Sequence, residues 1–553
     1  MRARRRLIIS ISIFLLFLLI VGIIVGHWLR EKAAYYSEHF AEGTIINGLD
    51  VSGSTVPELV SKIQEYQITI EERNSGGGTL EEQITGEEID LQPADADDLN
   101  DILESQDNLE MWLAQRGKTY ELDSFMKYDE EKMMDVIHGL MAFQKEYNAA
   151  PTDAYISEYQ SGKGYEIIPE TQGNQLLADK AEQLIKEAID EKQTEINLSE
   201  EDCYEKPKIT SDNQEMNDYV NKINKFVNVV ISYDFGEDQV VINGDLINDW
   251  LIINGDEIQL DRNQVYAYIV EMKKKYDTIF RPRTFKTTAG PEITIDGGDY
   301  GWWMDYETEA AQVADMIEAG ESGEREPVYF QKANSHGKND YGDYYVEINL
   351  TAQHLYIYKD GKQVLDTDIV SGNESKNYGT PAGVYSMTYK EEDAVLVGED
   401  YHQPVSYWMP FNLNIGIHDA LWRSEFGQNF YKTDGSHGCI NLPYLTAQKV
   451  YSLVEEGMPV ICYYLEGTES NSITRQEPAE KAQAVIDAIN KIGDLEELRD
   501  DKNVIIDRAR ELYKSVDGSV QALVSNYEAL VNAENAYKEK YGKTVKQTMQ
   551  NAS

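Results

Sequence analysis

Twenty-three residues near the N-terminus, Leu7 to Leu29, constrain this chain more than any others, because only Ser10, Ser12, Gly22, Gly26 and His27 interrupt their apolar run. Wound as a helix, a run of that length crosses the roughly 30 Å of a hydrocarbon core. Arg2, Arg4, Arg5 and Arg6 precede it, so residues 1–6 should stay cytoplasmic and the chain beyond residue 29 should face outward. Trp28, Arg30, Tyr35 and Tyr36 suit the outer interface. A cleaved signal peptide is the competing reading, but the run is longer than the usual apolar region of one and no Ala-X-Ala site ends it. The expectation is a transmembrane helix over 7–29, single-pass in the cell membrane, with the rest of the protein extracellular and the lipid bilayer as its first partner.

That remainder is long enough for several domains in a chain of 553 residues. Asp and Glu number 98 against 50 Lys and Arg, a formal net charge of -48, which argues against a nucleic-acid partner. Three cysteines, Cys203, Cys439 and Cys462, make no disulfide framework, and none lie at zinc-site spacing, so neither a metal nor a cofactor is expected. Cys203 and Cys462 read as buried small hydrophobes, Cys462 within the strand-like Val460-Ile461-Cys462-Tyr463-Tyr464.

Between the anchor and residue 330 the chain reads as two related α+β units, 43–200 and 210–330. A helix over Thr55 to Gln64, with Val56, Leu59, Val60 and Ile63 inward, opens the first. Glu88-Ile89-Asp90-Leu91 and Glu257-Ile258-Gln259-Leu260 are each strand-like, and each precedes a helical pattern, Met133 to Tyr147 and Arg262 to Tyr276. A second pair of segments, around Ile167-Ile168 and Ile293-Thr294-Ile295, leads into helices Asp179 to Glu191 and Glu307 to Glu318. The offsets are 129 residues from Tyr147 to Tyr276 and 128 from Gly173 to Gly301, which suggests duplication of one module. Trp250, Tyr300, Trp302 and Trp303 in the second unit could stack on sugars, although such residues are more often core or interface anchors.

Residues 343–465 read as a mainly-β domain. Tyr344 to Leu350 and His354 to Lys359 alternate in strand fashion, and Asp360-Gly361 closes a hairpin. Further on stand Thr380-Pro381-Ala382-Gly383, then Ile417-His418-Asp419, then Ser436-His437-Gly438-Cys439 with Ile440-Asn441-Leu442 behind it. A cysteine among small, polar and imidazole side chains can be activated by a base, and backbone N–H groups beside it can face a developing oxyanion. Ser335-His336-Gly337-Lys338 begins like the same string but has lysine in the nucleophile's place, so it reads as a linker loop.

The Ser-His-Gly-Cys string, a histidine separated from its serine by 17 residues, and the Thr-Pro-X-Gly turn together resemble the YkuD-type L,D-transpeptidase catalytic domain. Units 43–200 and 210–330 more loosely resemble the peptidoglycan-binding domains found before such domains. The resemblance implies that Cys439 is the nucleophile and His418 its base, the imidazole lowering the thiol's pKa. The orienter of His418 would be either the carbonyl or the carboxylate of Asp419. His437 and Ser436 would shape the pocket, and the backbone N–H groups of Gly438 and Cys439 would form the oxyanion hole. Asn441 stands where many relatives have arginine, so Arg423 is expected to help bind substrate, with Tyr407 and Trp408 on the preceding strand. The implied partners are peptidoglycan stem peptides, as acyl donor and acceptor, and the cell-wall glycan. The implied product is a 3→3 cross-link made through a thioester with release of D-Ala. Water as acceptor would make an L,D-carboxypeptidase instead, and an unreactive Cys439 a wall-binding scaffold.

Beyond the catalytic segment, Pro478 to Lys491, Lys502 to Val516 and Val520 to Tyr541 carry helical apolar stripes, predicting a three-helix bundle over 478–545. This bundle reads as a spacer or binding module outside the catalytic machinery.

Overall fold

The computed structural model describes residues 2–93, 96–106, 108–110, 118–122, 126–337, 339–398 and 402–542. Lys338 and residues 543–545 of the expected bundle lie outside the described residues. The chain divides into two compact units, Met1–Glu158 with Tyr165–Asn221, and Tyr159–Gly164 with Lys222–Ser553.

The first unit begins with α1 (Arg2–Tyr36), one continuous helix whose apolar stretch is long enough to cross a membrane and keeps its side chains exposed. Next comes α2 (Val56–Gln64), set by a capping box in which Thr55 Oγ1 accepts from Glu58 N and Glu58 Oε2 accepts from Thr55 N at 2.8 Å. The hairpin β1 (Gln67–Arg73) and β2 (Thr79–Thr85) follows, then helices α3 (Glu130–Gly139) and α4 (Ala178–Asp190), and strand β3 (Glu195–Asn197). β3 lies parallel to β1 with Ile196 opposite Ile70. Alternate residues Ile68 and Ile70 of β1 turn inward onto Leu59, Ile63, Ile84 and Ile185, as the two-residue period of a strand requires.

The second unit repeats that plan. A hairpin, β4 (Ile231–Phe235) and β5 (Asp238–Ile242), is followed by α5 (Arg262–Tyr276), α6 (Tyr306–Ala319) and β6 (Gly323–Glu324), which pairs parallel with β4. α6 and β6 both start 128 residues after α4 and β3. Two expected elements differ. Glu257–Leu260 is a strand, but Glu88-Ile89-Asp90-Leu91 is a turn with Asp90 at φ 53°, in which Ile89 and Leu91 are both buried. The helix expected over Met133 to Tyr147 stops at Gly139 and passes into two 3₁₀ turns. Trp250, Tyr300 and Trp302 are core residues, and the His336 ring of the linker stacks on Trp302 with centroids 3.7 Å apart. Only Trp303 of those four aromatics is exposed, beside Phe330.

The catalytic region is two sheets. One has the order β9–β8–β7–β17–β10, with β7 (Tyr345–Asn349), β8 (His354–Lys359), β9 (Lys362–Asp368), β10 (Gly383–Ser386) and β17 (Pro459–Tyr463). The other has the order β11–β14–β15–β16, with β11 (Glu391–Glu392), β14 (Tyr407–Asn412), β15 (Ile415–Asp419) and β16 (Ile440–Leu442). A separate hairpin, β12 (Val395–Val397) and β13 (His402–Pro404), lies between them in sequence. The edge strand β10 is covered by the preceding module: Val384 N donates to Gly297 O and Tyr300 N to Val384 O, both at 3.0 Å. Gly298, at φ +87°, makes this possible, because a Cβ there would sit 2.0 Å from the Val384 carbonyl oxygen. Arg283 adds a buried bidentate pair to Asp340, Nε to Oδ1 at 2.8 Å and Nη2 to Oδ2 at 2.6 Å.

After β16, α7 (Tyr444–Leu453) packs on the second sheet, and the C-terminal helices pack on α7 in turn. These are α8 (Pro478–Asn490), α9 (Asn503–Ser515), α10 (Gly518–Gln521) and α11 (Tyr527–Tyr541). The stripe expected to run unbroken from Val520 to Tyr541 is therefore split. One apolar core runs from Ile417, Leu442 and Ala447 into Val485, Ile489, Ile506 and Leu530. Tyr444 fastens the join, its OH donating to Asp487 Oδ2 at 2.9 Å and its N–H to Gln476 Oε1 at 2.7 Å. The bundle is thus built onto the catalytic region, because its apolar faces have no other core to join.

Candidate active site

Strands β15 and β16 run parallel with His418 opposite Asn441. Cys439 is two residues before Asn441, so the strand period puts its side chain on the same face as Asn441 and His418. One short stretch of backbone therefore gathers a thiol, an amide and an imidazole around one cavity.

The imidazole's protonation follows from its neighbours. His418 Nδ1 lies 2.8 Å from the Asp419 carbonyl oxygen, which can only accept, so Nδ1 carries the proton. On the other side Arg423 Nε donates to Asn441 Oδ1 at 2.8 Å. That fixes the Asn441 amide, whose Nδ2 then donates to His418 Nε2 at 3.1 Å. Nε2 is thus the basic nitrogen. Arg423 is itself held by Asp434, Nη1 to Oδ2 at 3.2 Å. Of the two expected orienters, the Asp419 carbonyl is the one that meets the ring, while its carboxylate Oδ1 accepts from the N–H groups of Ser406 and Tyr407 at 2.7 and 2.9 Å.

Burial keeps the pair neutral at rest. It pushes the Cys439 thiol up to about 11 and the His418 imidazole down to about 4. The expected lowering of the thiol's pKa by the imidazole is opposed by the burial of both groups. The thiol instead donates to the Asn414 carbonyl, Sγ to O at 3.6 Å. Around it the string braces itself: Ser436 Oγ donates to Cys439 O at 2.6 Å and accepts from Gly438 N at 3.0 Å. Thr380 Oγ1 donates to Gly438 O at 2.6 Å and accepts from Gly372 N at 3.0 Å, tying the Thr-Pro-X-Gly turn to the string.

A family model for the L,D-transpeptidase (YkuD) catalytic domain matches residues 343–462, and one for a "Putative peptidoglycan binding domain" matches 105–197 and 209–325. The crystal structure of an Enterococcus faecium L,D-transpeptidase mutant is 36% identical, with alignment over 44% of this chain and 100% of that one and a TM-score of 0.39. This chain belongs to the L,D-transpeptidase family. The catalytic domain of the E. faecium L,D-transpeptidase acylated by ertapenem is 47% identical over 22% of this chain and 97% of that one, with a TM-score of 0.21. An L,D-transpeptidase from Mycobacterium tuberculosis H37Rv is 22% identical over 22% and 57% respectively, with a TM-score of 0.19. No curated protein matches.

In this L,D-transpeptidase the cavity over Cys439, about 230 Å³, is lined by His418, Arg423, Ser436, His437 and Asn441 from the expected set. His437 is exposed beside the Tyr378 ring, centroids 4.7 Å apart. Trp408 is buried against Cys439, its ring 5.8 Å from His418. Tyr407 does not reach the cavity: its side chain alternates to the other face, packs on Tyr444 and Tyr451, and its hydroxyl accepts from Gln448 at 2.8 Å. The Gly438 N–H, expected at the oxyanion hole, is turned to Ser436 Oγ. Three lining residues went unread in the sequence: Trp422, Leu396 and Gln403. Trp422 stands four residues after His418, and a tryptophan at that short spacing was the available clue. The hairpin β12–β13 that supplies Leu396 and Gln403 carries no motif.

Proposed function

We propose that this L,D-transpeptidase forms 3→3 peptidoglycan cross-links through a thioester on Cys439. The supporting observation is the locked His418 tautomer, which makes Nε2 the unprotonated ring nitrogen in the cavity that Cys439 also lines; its lone pair accepts from the Asn441 amide at rest and turns to the thiol proton as Sγ reacts. In the first half-reaction Sγ attacks the carbonyl carbon of the third residue of a stem tetrapeptide as its proton passes to Nε2. The C–N bond then breaks, the proton goes to the leaving amine, and D-Ala departs. The Cys439 N–H is the remaining string donor for the oxyanion, Gly438 N–H being engaged with Ser436. In the second half-reaction a side-chain amine of another stem attacks the thioester, loses a proton to Nε2, and the thiol is restored. α1 anchors the chain in the cell membrane, Arg2 to Arg6 inside and the catalytic domain outside, where it meets glycan and stem peptides.

Mass spectrometry of products from disaccharide-tetrapeptide tests this. Wild type should give 3→3 dimers, Cys439→Ala none, and His418→Ala a rate lower by roughly 10²–10⁴-fold. Tripeptide without dimers would identify a carboxypeptidase, and no Cys439-dependent change a wall-binding scaffold.

A further inference from the structure

Arg508, in the middle of α9, lies beyond residue 462, where the catalytic-domain match ends. It is 7% exposed, and none of Nε, Nη1 and Nη2 makes a hydrogen bond. An isolated charge in such a place is costly. α9 carries it inward one turn before the core residue Leu512 and packs against β13, the strand that leads into Ser406 and Tyr407. A second buried group is left open there. Asp419 is 1% exposed, and while its Oδ1 accepts from Ser406 N and Tyr407 N, its Oδ2 accepts no bond. Asp419 is the acid whose charge acts most on Arg508, and Arg508 is the cation that acts in return on Asp419. The other acids near Arg508 are placed otherwise. Asp393 pairs with Lys491 Nζ at 2.8 Å, and Glu511 is half-buried on α9 itself with no bond to the guanidinium. Asp507, the preceding residue, leaves the helix about 100° away.

Resting on the transpeptidase reading above, we propose that Arg508 is a positioning residue for the catalytic base: it keeps the Asp419 carboxylate ionised, and that carboxylate ties β14 to β15 where the Asp419 carbonyl holds His418 Nδ1. Trp408, next to Tyr407, lies opposite His418 across the same strand pair. An ionised Oδ1 accepts more strongly than the oxygen of a neutral acid, so charge at Asp419 tightens residues 406–408 onto the strand that bears the imidazole. Burial opposes that charge and raises the Asp419 carboxyl to about 6, and the guanidinium holds it from rising further. The His418 imidazole, neutral down to about 4, does not supply the compensating charge, and Arg423 is engaged with Asn441 and Asp434. The bundle thus sets the base through one residue outside the matched domain, and its continuous core with α7 fixes where the guanidinium stands.

The test follows acylation of the full chain by disaccharide-tetrapeptide, read by intact mass across the acid range. Each rate is scaled to the same protein's plateau, so that a partly folded sample does not move its profile. Wild type should lose rate as pH falls through about 6, where Asp419 takes up a proton. Arg508→Met should move that fall toward neutrality by about one pH unit or more, and Arg508→Lys, which keeps the charge, should return it most of the way. Asp419→Asn combined with Arg508→Met leaves neither charge stranded and nothing at residue 419 to titrate, so its profile should lack the fall altogether. A side chain that only filled space would change the plateau and leave the midpoint where it was. An unmoved midpoint in Arg508→Met, an equal shift in Arg508→Lys, or a fall that persists in the double variant would overturn the positioning role while leaving the transpeptidase intact. Wild type that forms no acyl-enzyme at any pH would overturn both.

Discussion

At the residue scale Asn441 does two things that an arginine, with no acceptor, could not do together: its amide oxygen accepts from Arg423 while its Nδ2 donates to His418 Nε2 and so holds the ring with Nδ1 on the Asp419 carbonyl. Asn441→Asp replaces that donor with an acceptor and should move the proton to Nε2, slowing acylation about tenfold or more. Imidazole ¹⁵N shifts read the tautomer directly, and an unaltered tautomer would refute the clamp. With the thiol pushed up to about 11, alkylation of Cys439 by iodoacetamide should keep rising above pH 9. Peptide mass mapping follows it, and a plateau below pH 7 would reveal a standing thiolate–imidazolium pair instead. The chemical pair was legible because Ser436-His437-Gly438-Cys439 is contiguous and His418 stands at a family spacing. The resting charge state was not, because burial decides it and burial belongs to the fold. Tyr407 illustrates the limit: nothing in a run of strand residues says which of two neighbours faces the cavity.

Among elements, the Thr-Pro-X-Gly turn is bound to the nucleophile string by one hydroxyl. Thr380→Val leaves the Gly438 carbonyl and the Gly372 N–H without their bonds in a buried place, costing about 1–3 kcal/mol. Denaturant midpoints of wild type and variant measure it, and equal midpoints would mean the tie carries no stability. Helices α5 and α6 were readable to within a residue or two from periodicity, and the duplication from its constant offset. The Ile-X-Leu of residues 89–91 misled because a tight turn that buries both apolar side chains looks, in sequence, like a short strand.

Across the whole molecule, the second module, the catalytic sheets and the bundle form one compact unit. The Arg283–Asp340 pair lies buried where the module joins the catalytic region, side chains 7% and 5% exposed. Asp340→Ala strands a guanidinium there and should cost about 3–5 kcal/mol, seen as a lowered chemical midpoint; a change under about 1 kcal/mol would show that the cation finds water. Two of the bundle's three stripes were legible as single helices and the third is split into α10 and α11, but their attachment was not legible, since an apolar helix face does not name its partner. The covered edge at Val384 has a mechanical consequence. An extended segment bonded side by side to an edge strand takes a pull along its length in shear, both bonds loaded together, and yields bond by bond only when peeled. Force reaching the second module along that direction passes through the edge strand β10 directly into its neighbour β17, so module and enzyme should strain as one body.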